Sequence, residues 1–178
     1  MKSLINRLKK QNKHIAVAES CTGGLIAKTI TDTPGASAVF NMAVTTYSNE
    51  AKIKLLKVSP ETLKNHGAVS EQTACEMASG ILSLAESDIA ISVTGIAGPS
   101  NDGSQKPVGT VCIGVATAQK CYATTFVFAG KRNEVRKMAA KMALNMAYDE
   151  LGGAKKKKDG NAITKTVKKN HKGYRKDN

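Results

Sequence analysis

Strand-length apolar runs alternate with helical patterns through the first half of the chain, and two further runs lie close enough to form a hairpin. These observations predict a single α/β domain: a three-layer α/β/α sandwich around a mixed sheet. Alternation calls for parallel strands joined by crossover helices, and the late hairpin adds antiparallel pairs.

The elements follow in order. Leu4-Ile5-Asn6-Arg7-Leu8 begins a short amphipathic helix, and His14-Ile15-Ala16-Val17-Ala18 has strand length. Glu19-Ser20-Cys21-Thr22-Gly23-Gly24 interrupts it before a helix over Leu25-Ile30. Pro34-Gly35 marks a turn, and residues 39–47, rich in β-branched and aromatic side chains, predict a second strand. Ser48 or Asn49 can cap the next helix, Ser59-Pro60-Glu61 starts another, and Ser70-Glu71 opens a third that runs to about Glu86. Residues 88–94 read as a buried strand and 95–107 as a Gly- and Pro-containing loop. Residues 108–117 and 121–128 form the hairpin, and 133–151 a last helix stopped by Gly152-Gly153.

The formal net charge is +13, from 27 basic and 14 acidic residues. Residues 155–178 hold ten of those bases against two acids, so the basicity is largely a tail property. We therefore divide the chain into a domain over 1–152 and a lysine-rich tail over 153–178. The tail is expected to be disordered, with weak salt-sensitive attraction to nucleic acid as one consequence. Aromatic content of 4% argues against a stacking platform for single strands. No run is long and apolar enough for a transmembrane helix, and the N-terminus lacks a secretory pattern, so a cytoplasmic protein is expected.

Cys21, Cys75, Cys112 and Cys121 show no zinc-type spacing, and buried free thiols are the expectation for all four. His14, His66 and His171 form no metal motif, so neither metal nor cofactor is expected.

Three segments place polar residues where strands end. Ser20 stands on a turn where the amides of Thr22 and Gly23 can receive an oxyanion; equally, Ser20 or Thr22 can simply cap the helix. Lys52, in the first turns of the helix after Tyr47-Ser48-Asn49, has its neutral form favoured if desolvated, and can then act as base toward a serine; it can equally be a surface lysine. Gly95-Ile96-Ala97-Gly98-Pro99-Ser100 through Lys106-Pro107 is either a ligand-approaching loop or an ordinary surface loop.

These segments, with Gly67-Ala68-Val69-Ser70 and Lys106-Pro107-Val108-Gly109-Thr110-Val111, resemble the CinA C-terminal-domain family over residues 4–152. Its enzymatic members are nicotinamide-nucleotide amidohydrolases. The resemblance implies hydrolysis of nicotinamide mononucleotide to nicotinic acid mononucleotide and ammonia. Ser20 would be the nucleophile, Lys52 its base, and Tyr47 an aid to proton movement; Thr94 would hold the site or the ligand. Asn49 joins Thr22, Gly23 and Thr94 in the substrate-binding set, and Gly98, Ser100 and Lys106 are our own candidates near the phosphate. Larger family members carry a further N-terminal domain, so this chain is expected to be the stand-alone form, and a homo-oligomer. It departs from the family at Cys112, where an aromatic residue is common. The competing expectations are a non-catalytic nucleotide-binding module and a nucleic-acid-associated protein acting through its tail.

Overall fold

The computed structural model describes residues 1–100 and 103–153; the tail expectation for 153–178 falls almost wholly outside them. Five strands, β1 (Ile15–Glu19), β2 (Phe40–Thr45), β3 (Ile89–Gly95), β4 (Thr110–Thr117) and β5 (Cys121–Val127), form one sheet in the order β2-β1-β3-β4-β5. β1 runs parallel to both β2 and β3, while β3–β4 and β4–β5 are antiparallel. The expected mixed sheet is therefore present.

Among the described residues six α-helices flank it: α1 (Lys2–Lys10), α2 (Leu25–Thr31), α3 (Asn49–Leu56), α4 (Pro60–His66), α5 (Glu71–Leu84) and α6 (Arg132–Glu150). Strand alternation sorts the core. Ile15, Val17, Ile91, Val93 and Ile113 face α1, α2 and α6, packing with Leu8, Ile26, Val135 and Ala143. Ala16, Ala18 and Ala90 face the other way, against Leu56 of α3 and Met77 and Ile81 of α5. Small residues on this second face let α5 lie close to the sheet. A Cβ on Gly114 would fall 2.5 Å from the Ala74 carbonyl oxygen.

The cap signals hold where hydroxyls were expected to act. Ser48 accepts from Ala51 N–H, Ser59 from Glu61 N–H and Ser70 from Thr73 N–H. The second strand is shorter than the 39–47 expected. It ends at Thr45, where the chain turns into α3.

The cysteine expectation is corrected in part. A disulfide joins Cys75 of α5 to Cys121 of β5, whose Cα atoms lie 5.9 Å apart, while Cys21 and Cys112 are free and buried. Sequence spacing gave no sign of the pair. The contact arises because α5 crosses β4 and β5, a packing set by the sheet order.

Among the described residues no helix is long and apolar enough to cross a membrane.

Candidate active site

Ladder hydrogen bonds continue one residue past β1. Ser20 N–H donates to the Val93 carbonyl oxygen at 2.9 Å, and Thr46 N–H to that of Glu19 at 2.8 Å. With Glu19 opposite Thr45 and Val93, these bonds set Thr46, Ser20 and Thr94 side by side at the carboxyl edge of the three parallel strands. By alternation all three share the α3–α5 face with Ala18, Val44 and Ser92. The row continues to Cys112 and Thr125 through the antiparallel registers.

α3 begins beside this row and brings Lys52 over it. The lysine is only 1% exposed. Its Nζ donates to Ser20 Oγ at 3.3 Å, to the Thr46 carbonyl oxygen at 2.8 Å, and to those of Tyr47 and Ser48 at 3.4 and 3.5 Å. Burial pulls its pKa below the usual 10.5, against the charge of Glu50. In its neutral form the amine would keep two N–H groups for the surrounding carbonyls and could turn its lone pair toward the serine. That is the arrangement of a base beside a nucleophile.

Glu19 resolves the capping question. Its buried carboxylate accepts from the N–H groups of Gly24 (3.0 Å), Ile26 (3.2 Å) and Ala27 (2.9 Å). The start of α2 is thus satisfied from the preceding strand, and Ser20 is not its cap. A carboxylate at a helix N-terminus is favoured by both the amides and the helix dipole. The same geometry corrects one oxyanion candidate. Gly23 N–H is taken by the Ser20 carbonyl oxygen at 3.0 Å, which leaves Thr22 N–H, of the two amides expected. Burial pushes the neighbouring Cys21 thiol up to about 12, so it stays protonated.

Other expected residues are placed differently. Tyr47 follows the inward-turned Thr46 and points out, 62% exposed. Its hydroxyl accepts from Arg132 Nη2 at 3.2 Å, and only its carbonyl oxygen meets Lys52. The structure therefore does not bring the Tyr47 hydroxyl to the Ser20–Lys52 pair. Asn49 is exposed in the first turn of α3. Thr94 Oγ1 donates to the Ala68 carbonyl oxygen at 2.8 Å, fastening the segment before α5 across the strand edge. Lys106 Nζ is drawn to the carbonyl oxygens of Val69 and His66, away from the Gly98 loop. Ser100 is exposed at the edge of the undescribed residues 101–102. Cys112, buried, touches Thr125 Oγ1 at 3.4 Å and lines a cavity of about 440 Å³ with Val69, Ser70 and Thr110. In the strand-edge row Thr94 stands between Cys112 and Ser20.

Two arginines of α6, not among the residues expected from sequence, contact these segments. Arg136 donates through Nε to the Cys21 carbonyl oxygen at 3.1 Å and through Nη2 to that of Thr22 at 2.6 Å. Arg132 Nη1 donates to the Gly98 carbonyl oxygen at 2.6 Å. One turn apart at the start of α6, they join the Ser20 turn, the Tyr47 turn and the Gly98 loop. Their signal was weak: cations in the first turns of a helix oppose its dipole and call for a partner.

Comparison with known proteins gives the family. The family model described as the CinA C-terminal domain matches residues 1–151. The chain belongs to that family. A CinA-like protein of Chloroherpeton thalassium is 52% identical over 151 residues, 83% of this chain and 36% of the relative. A CinA-like protein of Endomicrobium trichonymphae is 51% identical over 150 residues, 84% of this chain and 35% of the relative. The chain thus spans about a third of the length of these curated relatives. Among solved CinA structures, competence damage-inducible protein A (ComA) of Klebsiella pneumoniae superposes with a TM-score of 0.83 at 36% identity, covering 86% of this chain and 96% of that one. The competence/damage inducible protein CihA of Agrobacterium tumefaciens gives 0.81 at 37%, covering 85% and 92%. The fold of this CinA domain, a five-stranded mixed sheet between helices, superposes on those structures.

Proposed function

We propose that this CinA domain is an amidohydrolase that converts nicotinamide mononucleotide and water to nicotinic acid mononucleotide and ammonia. The observation that carries the reading is the buried Lys52 Nζ 3.3 Å from Ser20 Oγ. A lysine stripped of water beside a serine at a strand edge is poorly explained as a solubility feature and well explained as a base. Ser20 attacks the carboxamide carbon as its proton passes to Lys52. The C–N bond then breaks and Lys52 gives that proton to the nitrogen, releasing ammonia and leaving an ester on Ser20. Water hydrolyses the ester through the same base. Thr22 N–H would receive the developing oxyanion.

The guanidiniums of Arg132 and Arg136 supply the cationic end. A phosphate gains charge-assisted hydrogen bonds from such a pair, and the Gly98 and Tyr47 contacts hold Arg132 ready for it. This assignment replaces Lys106, whose ammonium is turned toward the segment before α5.

The test is ammonia release from nicotinamide mononucleotide, nicotinamide riboside and nicotinamide. The reading expects turnover of the nucleotide and little of the other two. Equal rates on all three would make the protein a general amidase, and no release from any would end the enzymatic reading.

A further inference from the structure

Thr22 Oγ1 and Thr46 Oγ1 are buried side-chain oxygens without a hydrogen-bond partner among the described residues. Each sits in a segment that forms half of the Ser20–Lys52 pair. Thr46 carries the argument further. It is fully buried, and its carbonyl oxygen is the nearest acceptor to Lys52 Nζ, at 2.8 Å. Its register sets it next to Ser20, about one strand spacing (~4.8 Å) away, on the same face of the sheet. Buried hydroxyls normally find a partner, in the protein or in a small polar guest. A valine would fill the same space without leaving one unmet.

We propose that the Thr46 hydroxyl binds the small molecule of each half-reaction: the amide nitrogen as it leaves as ammonia, then the water that replaces it. The inference rests on the Ser20–Lys52 amidohydrolase reading. In the first step the Ser20 Oγ–carbon bond forms and the C–N bond breaks, with the serine proton carried by Lys52 to the nitrogen. In the second, the water oxygen bonds to the same carbon and gives a proton to Lys52. The Oγ–carbon bond then breaks as Lys52 returns that proton to Oγ. Because one base serves both steps, ammonia and water occupy one place within reach of Nζ. The amide nitrogen is tethered to the substrate, whereas water is held only by the site. Loss of the hydroxyl therefore harms the second step more.

The experiment compares wild type, Thr46→Val and Thr46→Ser on nicotinamide mononucleotide, with intact-mass analysis of the enzyme during turnover. Thr46→Val is expected to lose about tenfold or more in kcat, the order set by one hydrogen bond to a reacting group, with little change in Kd. An ester on Ser20 accumulates in that variant, and added hydroxylamine drains it. Thr46→Ser keeps the hydroxyl and stays near wild type, without ester. If Thr46→Val does not fold, the Thr46→Ser and Thr46→Ala pair gives the same reading: an ester in the alanine variant alone supports the role, and equal kcat without ester overturns it. A wild type that releases no ammonia overturns the amidohydrolase reading and this role with it. A wild type that turns over beside a Thr46→Val of unchanged kcat and no ester overturns the role of Thr46 alone.

Discussion

The Glu19 carboxylate accepts the Ala27 N–H at 2.9 Å, so the last residue of β1 caps the helix that follows it. This contact fixes the turn between them, and Ser20 with it. Ser20 is free for chemistry because its neighbour does the capping.

Glu19→Ala should therefore be severe. It strands three helix amides in a buried place and removes charge-assisted bonds, a loss of about 3 kcal/mol or more. Urea denaturation measures it. A change below about 1 kcal/mol would mean that the turn is held by other contacts.

The pH dependence follows from Lys52. Its folded-state pKa lies below 10.5, so between that lowered value and 10.5 the unfolded chain binds the proton and the folded one does not. Stability is full above 10.5 and is lost as pH falls toward the lowered folded-state value. Activity should rise with pH along a limb whose midpoint is also below 10.5. Denaturation midpoints across alkaline pH for wild type and Lys52→Met test the first point: the methionine variant should lose this contribution to the slope. An unchanged slope would place the proton elsewhere.

Arg132→Ala should weaken binding of phosphate-bearing substrate about tenfold or more, the order of one charge-assisted bond, and leave nicotinamide riboside unaffected. Arg136→Ala should also lower kcat, because Arg136 holds the carbonyls of Cys21 and Thr22 beside the nucleophile. Steady-state kinetics on both substrates separate the two. Equal effects of Arg132→Ala on both would remove it from the phosphate site.

The Cys75–Cys121 bond closes a loop with a sequence separation of 46 residues, for which the chain-entropy model gives about 4 kcal/mol. Cys121→Ser should lower Tm clearly and spare the kinetics of the Ser20–Lys52 pair. A Tm insensitive to both this change and reductant would show that the two sulfurs are not bonded in solution.

The layers and the parallel core were legible because they rest on local signals: apolar runs of strand length, hydroxyl caps and turn residues. Ser20 and Lys52 were legible as candidates for the same reason, each following a strand. Their meeting came only from the family resemblance, because local signals do not give the β1–β2 register. Arg132 and Arg136 lie far along the chain and reach the site only by packing of α6. Tyr47 and Lys106 show the converse. Each has suitable chemistry near a motif, but strand alternation turns Tyr47 outward, and nearby carbonyls draw Lys106 away.

The most direct measurement is ammonia release from nicotinamide mononucleotide by wild type, Ser20→Ala and Lys52→Met, each checked for an unchanged fold by circular dichroism. We expect turnover by wild type and a loss of at least about a thousandfold in both variants, the scale for removing a nucleophile or its base. A folded Ser20→Ala enzyme with wild-type turnover would contradict the account.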